Sequence, residues 1–160
     1  MKHPSFAAVL IGTGFGTGFS PFAPGTCGAL LAMAIWGLSY AFLPSVTQLV
    51  WGLFALIVVF TVVGVWAANR LEACWGTDPS RVVVDEMVGT WIPLLAVPDS
   101  SSWYLYALGA LVLFRLIDIF KPLGIRRMEN LKGGLGIMMD DILAGCYSLV
   151  LLLVARCVWG

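Results

Sequence analysis

The sequence predicts an all-α fold: a polytopic membrane helix bundle of about five membrane helices, with a re-entrant or interfacial glycine-rich loop. Three observations carry that expectation. The chain of 160 residues is 60% hydrophobic and only 11% charged, with a mean hydropathy of +0.94, against roughly 45–50% and ~25% in an average soluble domain. Its apolar residues gather into runs near the ~20 residues that cross a bilayer. Its basic residues occupy alternate connections between those runs, as expected where Lys and Arg stay on one side of a membrane. One domain over 1–160 accommodates the whole pattern.

The elements follow in order. The chain opens on "MKHPSFAAVLIGTG", whose apolar run is short, broken by glycine and without a small-residue cleavage site, so no cleavable signal is expected. The glycine-rich stretch "GTGFGTGFSPFAPGT" (12–26) leads into the first span, 27–43. A Pro44-Ser45 turn separates it from the second, 46–68. The segment "VVVDEMVGTWIPLLAV" (82–97) is short and carries Asp85 and Glu86 near its start. Its β-branched opening suggests a strand, but an isolated strand leaves its backbone unsatisfied in lipid, so a helix beginning at the interface is expected. Runs at 101–120 and 137–158 complete the set.

The charges then orient the bundle. Lys2 precedes the first span, Arg70 and Arg81 fall between the second and third, and Lys121, Arg126, Arg127 and Lys132 between the fourth and fifth, with Arg115 near the end of the fourth. The turns at 44–45 and 98–101 carry none. Five passes put all of these residues on one side, cytoplasmic by the positive-inside rule, and leave only Arg156 on the other. Four passes would split the 69–81 and 121–136 connections between two faces, so 82–97 is expected to cross or re-enter. A net charge of zero gives no hint of a nucleic-acid partner. Cys27, Cys74, Cys146 and Cys157 have no metal-ligand spacing and read as packing residues.

This topology gathers the acids. Asp85 and Glu86 start the third span, Asp118 lies within a turn of the end of the fourth, and Asp140 and Asp141 start the fifth. Carboxylates in or beside membrane helices cost a few kcal/mol each on insertion scales, so five of them converging on one face mark a functional site. Oxygen ligands suit hard cations such as Mg²⁺, commonly completed by substrate phosphate, and guanidinium or ammonium groups suit the remaining phosphate oxygens. The glycine-rich loop and "KGGLG" (132–136) each lead into a helix, where backbone N–H groups favour an anion. Gly25 and Thr26, at the helical end of the first loop, are the expected substrate-binding positions there.

Other phosphate chemistries fit less well. A dinucleotide fingerprint needs a third glycine where Thr17 or Phe19 stands, and no Gly-Lys-Ser/Thr follows the loop. The one histidine, His3, is at the terminus, and "CWGTDPSR" puts six residues between Cys74 and Arg81 where a cysteine phosphatase has five. The acids come as adjacent pairs and not as D-x-D, and no D-G-x-x-A-R signature of an alcohol-phosphate transferase is present. Metal-assisted attack by water or by one of the acids remains.

Four blocks, "SPFAPGTCGAL" (20–30), "VVVDEMVGTWIPLL" (82–95), "FRLIDIFKPLGIRRMEN" (114–130) and "GGLGIMMDDILAG" (133–145), together resemble the phosphatidylglycerophosphatase A family, in that order and along nearly the whole chain. The resemblance places a D-E-x-x-G core on Asp85, Glu86 and Gly89, an F-R-x-x-D-x-x-K-P core on Arg115, Asp118, Lys121 and Pro122, and a D-D-x-x-A-G core on Asp140, Asp141 and Gly145. The chain departs from the expected family pattern at Leu123-Gly124, before Ile125, and at Thr77, where a lysine is expected before Asp78. The resemblance implies a Mg²⁺-dependent lipid phosphatase of the bacterial inner membrane that hydrolyses phosphatidylglycerophosphate to phosphatidylglycerol.

On that reading Glu86, Asp118, Asp140 and Asp141 hold one or two Mg²⁺ ions, Asp85 is the general base, and Arg115, Lys121 and Arg126 hold the phosphate, all at the cytoplasmic face. The acyl chains of the substrate stay in the bilayer. The alternative is a small ion transporter with a carboxylate cation site, disfavoured because the acids sit at helix ends with basic residues beside them.

Overall fold

The computed structural model describes residues 3–122 and 124–159; Lys2 of the basic series and Leu123 lie outside them. Six helices make the fold: α1 (Phe6–Gly12), α2 (Pro24–Phe42), α3 (Val46–Trp75), α4 (Val84–Leu94), α5 (Trp103–Phe120) and α6 (Gly134–Trp159). Short 3₁₀ turns stand at Thr17–Phe19 and Ile125–Asn130, and no strand occurs among the described residues. Four of the helices, α2, α3, α5 and α6, are long and apolar enough to cross a membrane. Their outer faces expose Val58, Val62, Leu108, Val112, Val150 and Val154. With this surface, the chain is a membrane protein.

Local chemistry sets the helix ends. Pro24 occupies the first turn of α2, where its missing N–H costs nothing. Ser45 caps α3, its Oγ accepting from the Gln48 N–H at 3.3 Å. Pro122 follows α5, whose cap residue Lys121 is left-handed at φ 45°. The start of α6 is held from outside the helix, by the Asn69 Oδ1 of α3 accepting from the Gly134 N–H at 2.8 Å.

The α4 segment is the element that composition described least well. It has 11 residues, about 16 Å of helix, far short of the ~30 Å hydrocarbon core. Every residue in it is buried except Glu86, which is half-buried, because α2, α3, α5 and α6 all pack around it. The Trp91 Nε1–H donates to the Ala32 carbonyl of α2 at 3.0 Å, and its ring meets Phe60 of α3 edge-on at 5.2 Å. The chain still reaches the far end. Asp99 lines a cavity with Pro44 and Ser45, the turn between α2 and α3, and Trp103 packs on Tyr40 at 4.8 Å. Helix α4 and the turns at 95–102 therefore make the third pass of the chain together, inside protein and not against lipid, which is where a broken pass is tolerated.

The glycine-rich loop packs against α2 and against the start of that pass. The Val83 N–H donates to the Gly12 carbonyl at 2.8 Å. Gly14, at φ 52°, has Met87 and Val83 where a Cβ would go, and Gly18 lies directly on the Arg81 carbonyl. The Arg81 guanidinium covers both the Phe19 and Trp75 rings at 5.8 Å, fastening the loop to the end of α3.

Candidate active site

At the end of the bundle where α2, α4 and α6 begin and α5 finishes lies a cavity of about 330 Å³. Asp85, Glu86, Asp118, Asp140 and Asp141 all line it, with Arg115, Lys121 and Gly25. Of the remaining residues expected at the site, Thr26 is half-buried in the first turn of α2 and outside the lining, and Arg126 is exposed on the second 3₁₀ turn, also outside it.

Close helix packing brings the acids together. A Cβ on Gly145 of α6 would come within 2.6 Å of the Gly89 carbonyl of α4, and one on Gly89 within 2.9 Å of the Asp141 carbonyl. These two glycines let the backbones of α4 and α6 touch, as small residues do where membrane helices approach closely. Asp85, Glu86 and Asp141 can consequently place ligand oxygens within 4.8 Å of one another. Gly25 of α2 backs the same group: a side chain there would occupy the space of the Glu86 Oε1.

The two other acids are paired differently. The Arg115 Nη1 donates to the Asp118 Oδ2 at 2.9 Å, and the Lys121 Nζ donates to the Asp140 Oδ2 at 2.6 Å, tying the end of α5 to α6. Asp140 and Asp141 are neighbours, so they leave the helix about 100° apart. One turns to the cation and the other to the carboxylate trio.

The trio is the least satisfied part of the molecule. Asp85 Oδ1, Glu86 Oε2 and Asp141 Oδ2 are buried without a hydrogen-bond partner among the described residues. Buried carboxylate oxygens are normally paired, and three residues that each have an unpaired one, grouped this closely, ask for a shared cation. Oxygen donors at this spacing fit a divalent hard metal such as Mg²⁺.

Asp78 was not expected here. It lines the main cavity and also a smaller one, of about 70 Å³, that adjoins it through Asp85 and Asp140. Asp78 precedes Pro79 and reads in sequence as an ordinary turn. Its left-handed backbone, φ 47°, matches that of Ala23 before Pro24 and Lys121 before Pro122, at φ 42° and 45°. All three line the main cavity. Non-glycine residues held in this region persist where the surroundings over-determine them, and three X-Pro corners around one cavity are a signal that sequence alone does not display.

The phosphatidylglycerophosphatase A family model matches residues 10–156. A Bacteroides thetaiotaomicron protein named "Putative phosphatidylinositol-3-phosphatase" is 67% identical over 160 residues, the whole of both chains. The phosphatidylglycerophosphatase A of Escherichia coli is 41% identical over 142 residues, 87% of this chain and 77% of that protein. The Haemophilus influenzae phosphatidylglycerophosphatase A is 38% identical over 147 residues, 88% and 83%. No solved structure matches. The chain is a phosphatase of phospholipid metabolism and belongs to the phosphatidylglycerophosphatase A family.

Proposed function

We propose that this chain hydrolyses the phosphomonoester of phosphatidylglycerophosphate, giving phosphatidylglycerol and phosphate, with Mg²⁺ as cofactor and from the cytoplasmic face of the bacterial inner membrane. The carrying observation is the carboxylate trio, each member with a buried unbonded oxygen, in one cavity with Arg115 and Lys121. Six carboxylates, Asp78 included, line that cavity against two cations, a formal charge of four negative. A phosphate monoester brings further negative charge, so it needs a divalent ion to enter. The names of the E. coli and H. influenzae relatives supply the lipid.

Asp85, Glu86 and Asp141 would hold the ion. A divalent cation there would supply Lewis-acid polarisation of the phosphate oxygens. Asp118 and Asp140 pair with Arg115 and Lys121, and in this scheme they would aim those two cations. Arg115 presents a planar fork of five donors, of which Asp118 takes one, and the others suit phosphate oxygens. Asp85 stands at the junction of the two cavities. It would take the proton of a water that attacks phosphorus as the bond to the lipid oxygen breaks in line, and would return that proton to the departing alkoxide to give the alcohol. Thr26 and Arg126, outside the cavity, take no part in this scheme.

The 67% identical relative supports a second reading, phosphatidylinositol 3-phosphate, which is also a phosphomonoester on a phosphodiester-linked lipid. Phosphate release from phosphatidylglycerophosphate, phosphatidylinositol 3-phosphate and phosphatidic acid, each with and without Mg²⁺, separates the readings. Mg²⁺-dependent release from the first supports the proposal, and preference for the second replaces it. No release from any of the three returns the ion-transporter alternative.

A further inference from the structure

The cavity has a side as well as a mouth. Its rear is α4 and α6, which carry the trio, while Pro24 and Gly25 of α2 flank it on one hand and Arg115 to Lys121 of α5 on the other. Helices α2 and α5 hardly touch. Their ring contacts lie at the opposite end, where Trp103 meets Trp36 at 6.0 Å and Tyr40 at 4.8 Å. The two helices thus hold together at their far ends and have the acid cavity between them at the near end.

Apolar residues near that end of the two helices are exposed. Phe22, just before α2, is 82% exposed, and Ile119 and Phe120, in the last turn of α5, are 63% and 67% exposed. Leu30, further along α2, and Val112 and Leu116, further back along α5, are exposed as well. Arg115 and Asp118, one turn apart on α5, line the cavity, and Leu116 and Ile119 follow each of them directly in sequence. A phosphate held by Arg115 and Lys121 would therefore lie close to exposed apolar side chains of the same helix.

We infer that the acyl chains of the phospholipid substrate pass between α2 and α5, so that the headgroup enters the cavity sideways from the bilayer while the chains lie against Phe22 and Ile119. This rests on the proposed function for the identity of the headgroup, but not for the path. Lipid contact on any outer helix face is unspecific. A path between α2 and α5 differs in being continuous with the phosphate-binding cations and in holding the chains during turnover.

The test uses the full chain in mixed micelles with phosphatidylglycerophosphate carrying a diazirine in one acyl chain. After irradiation, adducts mapped by mass spectrometry should concentrate on residues 22–34 and 112–120. Adducts spread equally over the outer faces of α3 and α6, at Val58, Val62, Val150 and Val154, would overturn the path. This map needs no turnover, so an enzyme that releases no phosphate would defeat the proposed function while the labelling still decides the path. Kinetics give a second reading. The Phe22→Ser/Ile119→Ser protein should show a KM for a long-chain substrate raised by roughly tenfold and an unchanged KM for a dihexanoyl one, whose activity also reports folding. Val62→Ser should alter neither. Equal loss on both chain lengths would place these residues in the fold or headgroup site and refute the inference.

Discussion

Replacing Asp141 by Asn tests the carboxylate trio directly, because the change keeps size and polarity while removing one charge. Asp141 is 3% exposed and within 4.8 Å of Asp85 and Glu86. Two unit charges at that separation repel by about 3.5 kcal/mol at an effective dielectric of ~20, and neutralising Asp141 removes two such pairs. Cavity water and the Arg115 and Lys121 charges screen part of this, so the ion-free variant is expected to gain about 1–4 kcal/mol. The wild type should recover the difference only on binding metal, gaining ~2.7 kcal/mol at a concentration 100 times Kd. Unfolding followed by the fluorescence of the seven tryptophans, in detergent with and without Mg²⁺, reads both effects. The expected pattern is an equal or higher apparent Tm without metal, no Mg²⁺-dependent rise, and activity lower by at least ~100-fold. A variant that unfolds without metal, or that keeps the full Mg²⁺ shift, would show that Asp141 is structural and that the ion does not sit in the trio.

Other perturbations probe the parts around it. Arg115→Lys keeps charge but loses the planar fork, so kcat/KM should fall by roughly 10–100-fold, while Arg127→Lys, on the exposed 3₁₀ turn, should leave it unchanged; equal effects would deny Arg115 a phosphate. Gly25→Ala should displace Glu86 and cut activity by about tenfold or more, whereas Gly37→Ala on the same helix, where a Cβ meets nothing, should hold activity and add up to ~1 kcal/mol of stability. A retained Mg²⁺ shift and full activity in the Gly25 variant would count against that contact. Gly145→Ala should cost about 1–3 kcal/mol by forcing α4 from α6, read as a lowered Tm. In a cysteine-free background, Ser100→Cys should react with a membrane-impermeant thiol reagent outside intact cells and Lys132→Cys should not; labelling of Lys132→Cys from outside would invert the topology.

What the sequence disclosed and what it concealed divide along physical lines. The long spans were legible, because an unbroken apolar run must be placed in lipid whatever its neighbours are; 46–68 lies within α3, and 101–120 nearly coincides with α5. The convergence of the acids was legible too, since alternate passes return chain ends to one side. The length of α4 was hidden, because a pass sheathed by protein does not have to match the bilayer. The pairing of the carboxylates was hidden as well. Sequence gives Asp140 and Asp141 one address, and only the rotation of α6 sends the first to Lys121 and the second to the trio. Arg126 shows the same limit from the other side: its loop is near the cavity, but the 3₁₀ turn exposes its side chain. Asp78 looked like a turn residue and is one, with a carboxylate on the cavity wall.

The arrangement also explains why a phosphatase site is built at the ends of membrane helices and why four of them are needed. A carboxylate alone at such an end would be hydrated, and a trio alone in an apolar bundle would repel itself. Here α4 and α6 supply the trio through a glycine contact that sets its spacing. Helix α5 supplies the two cations, each steered by an acid that is not part of the trio, and α2 contributes the absence of a side chain at Gly25. The repulsion within the trio is maintained by packing elsewhere: α4 is buried at every residue but Glu86 and anchored by Trp91 to α2 and by its aromatic contact to α3. Residues far from the chemistry thus hold a group of like charges at a separation it would not keep by itself. On the proposed function, such a group would bind what relieves it, a divalent cation first and then, on the positive charge so added, a phosphate.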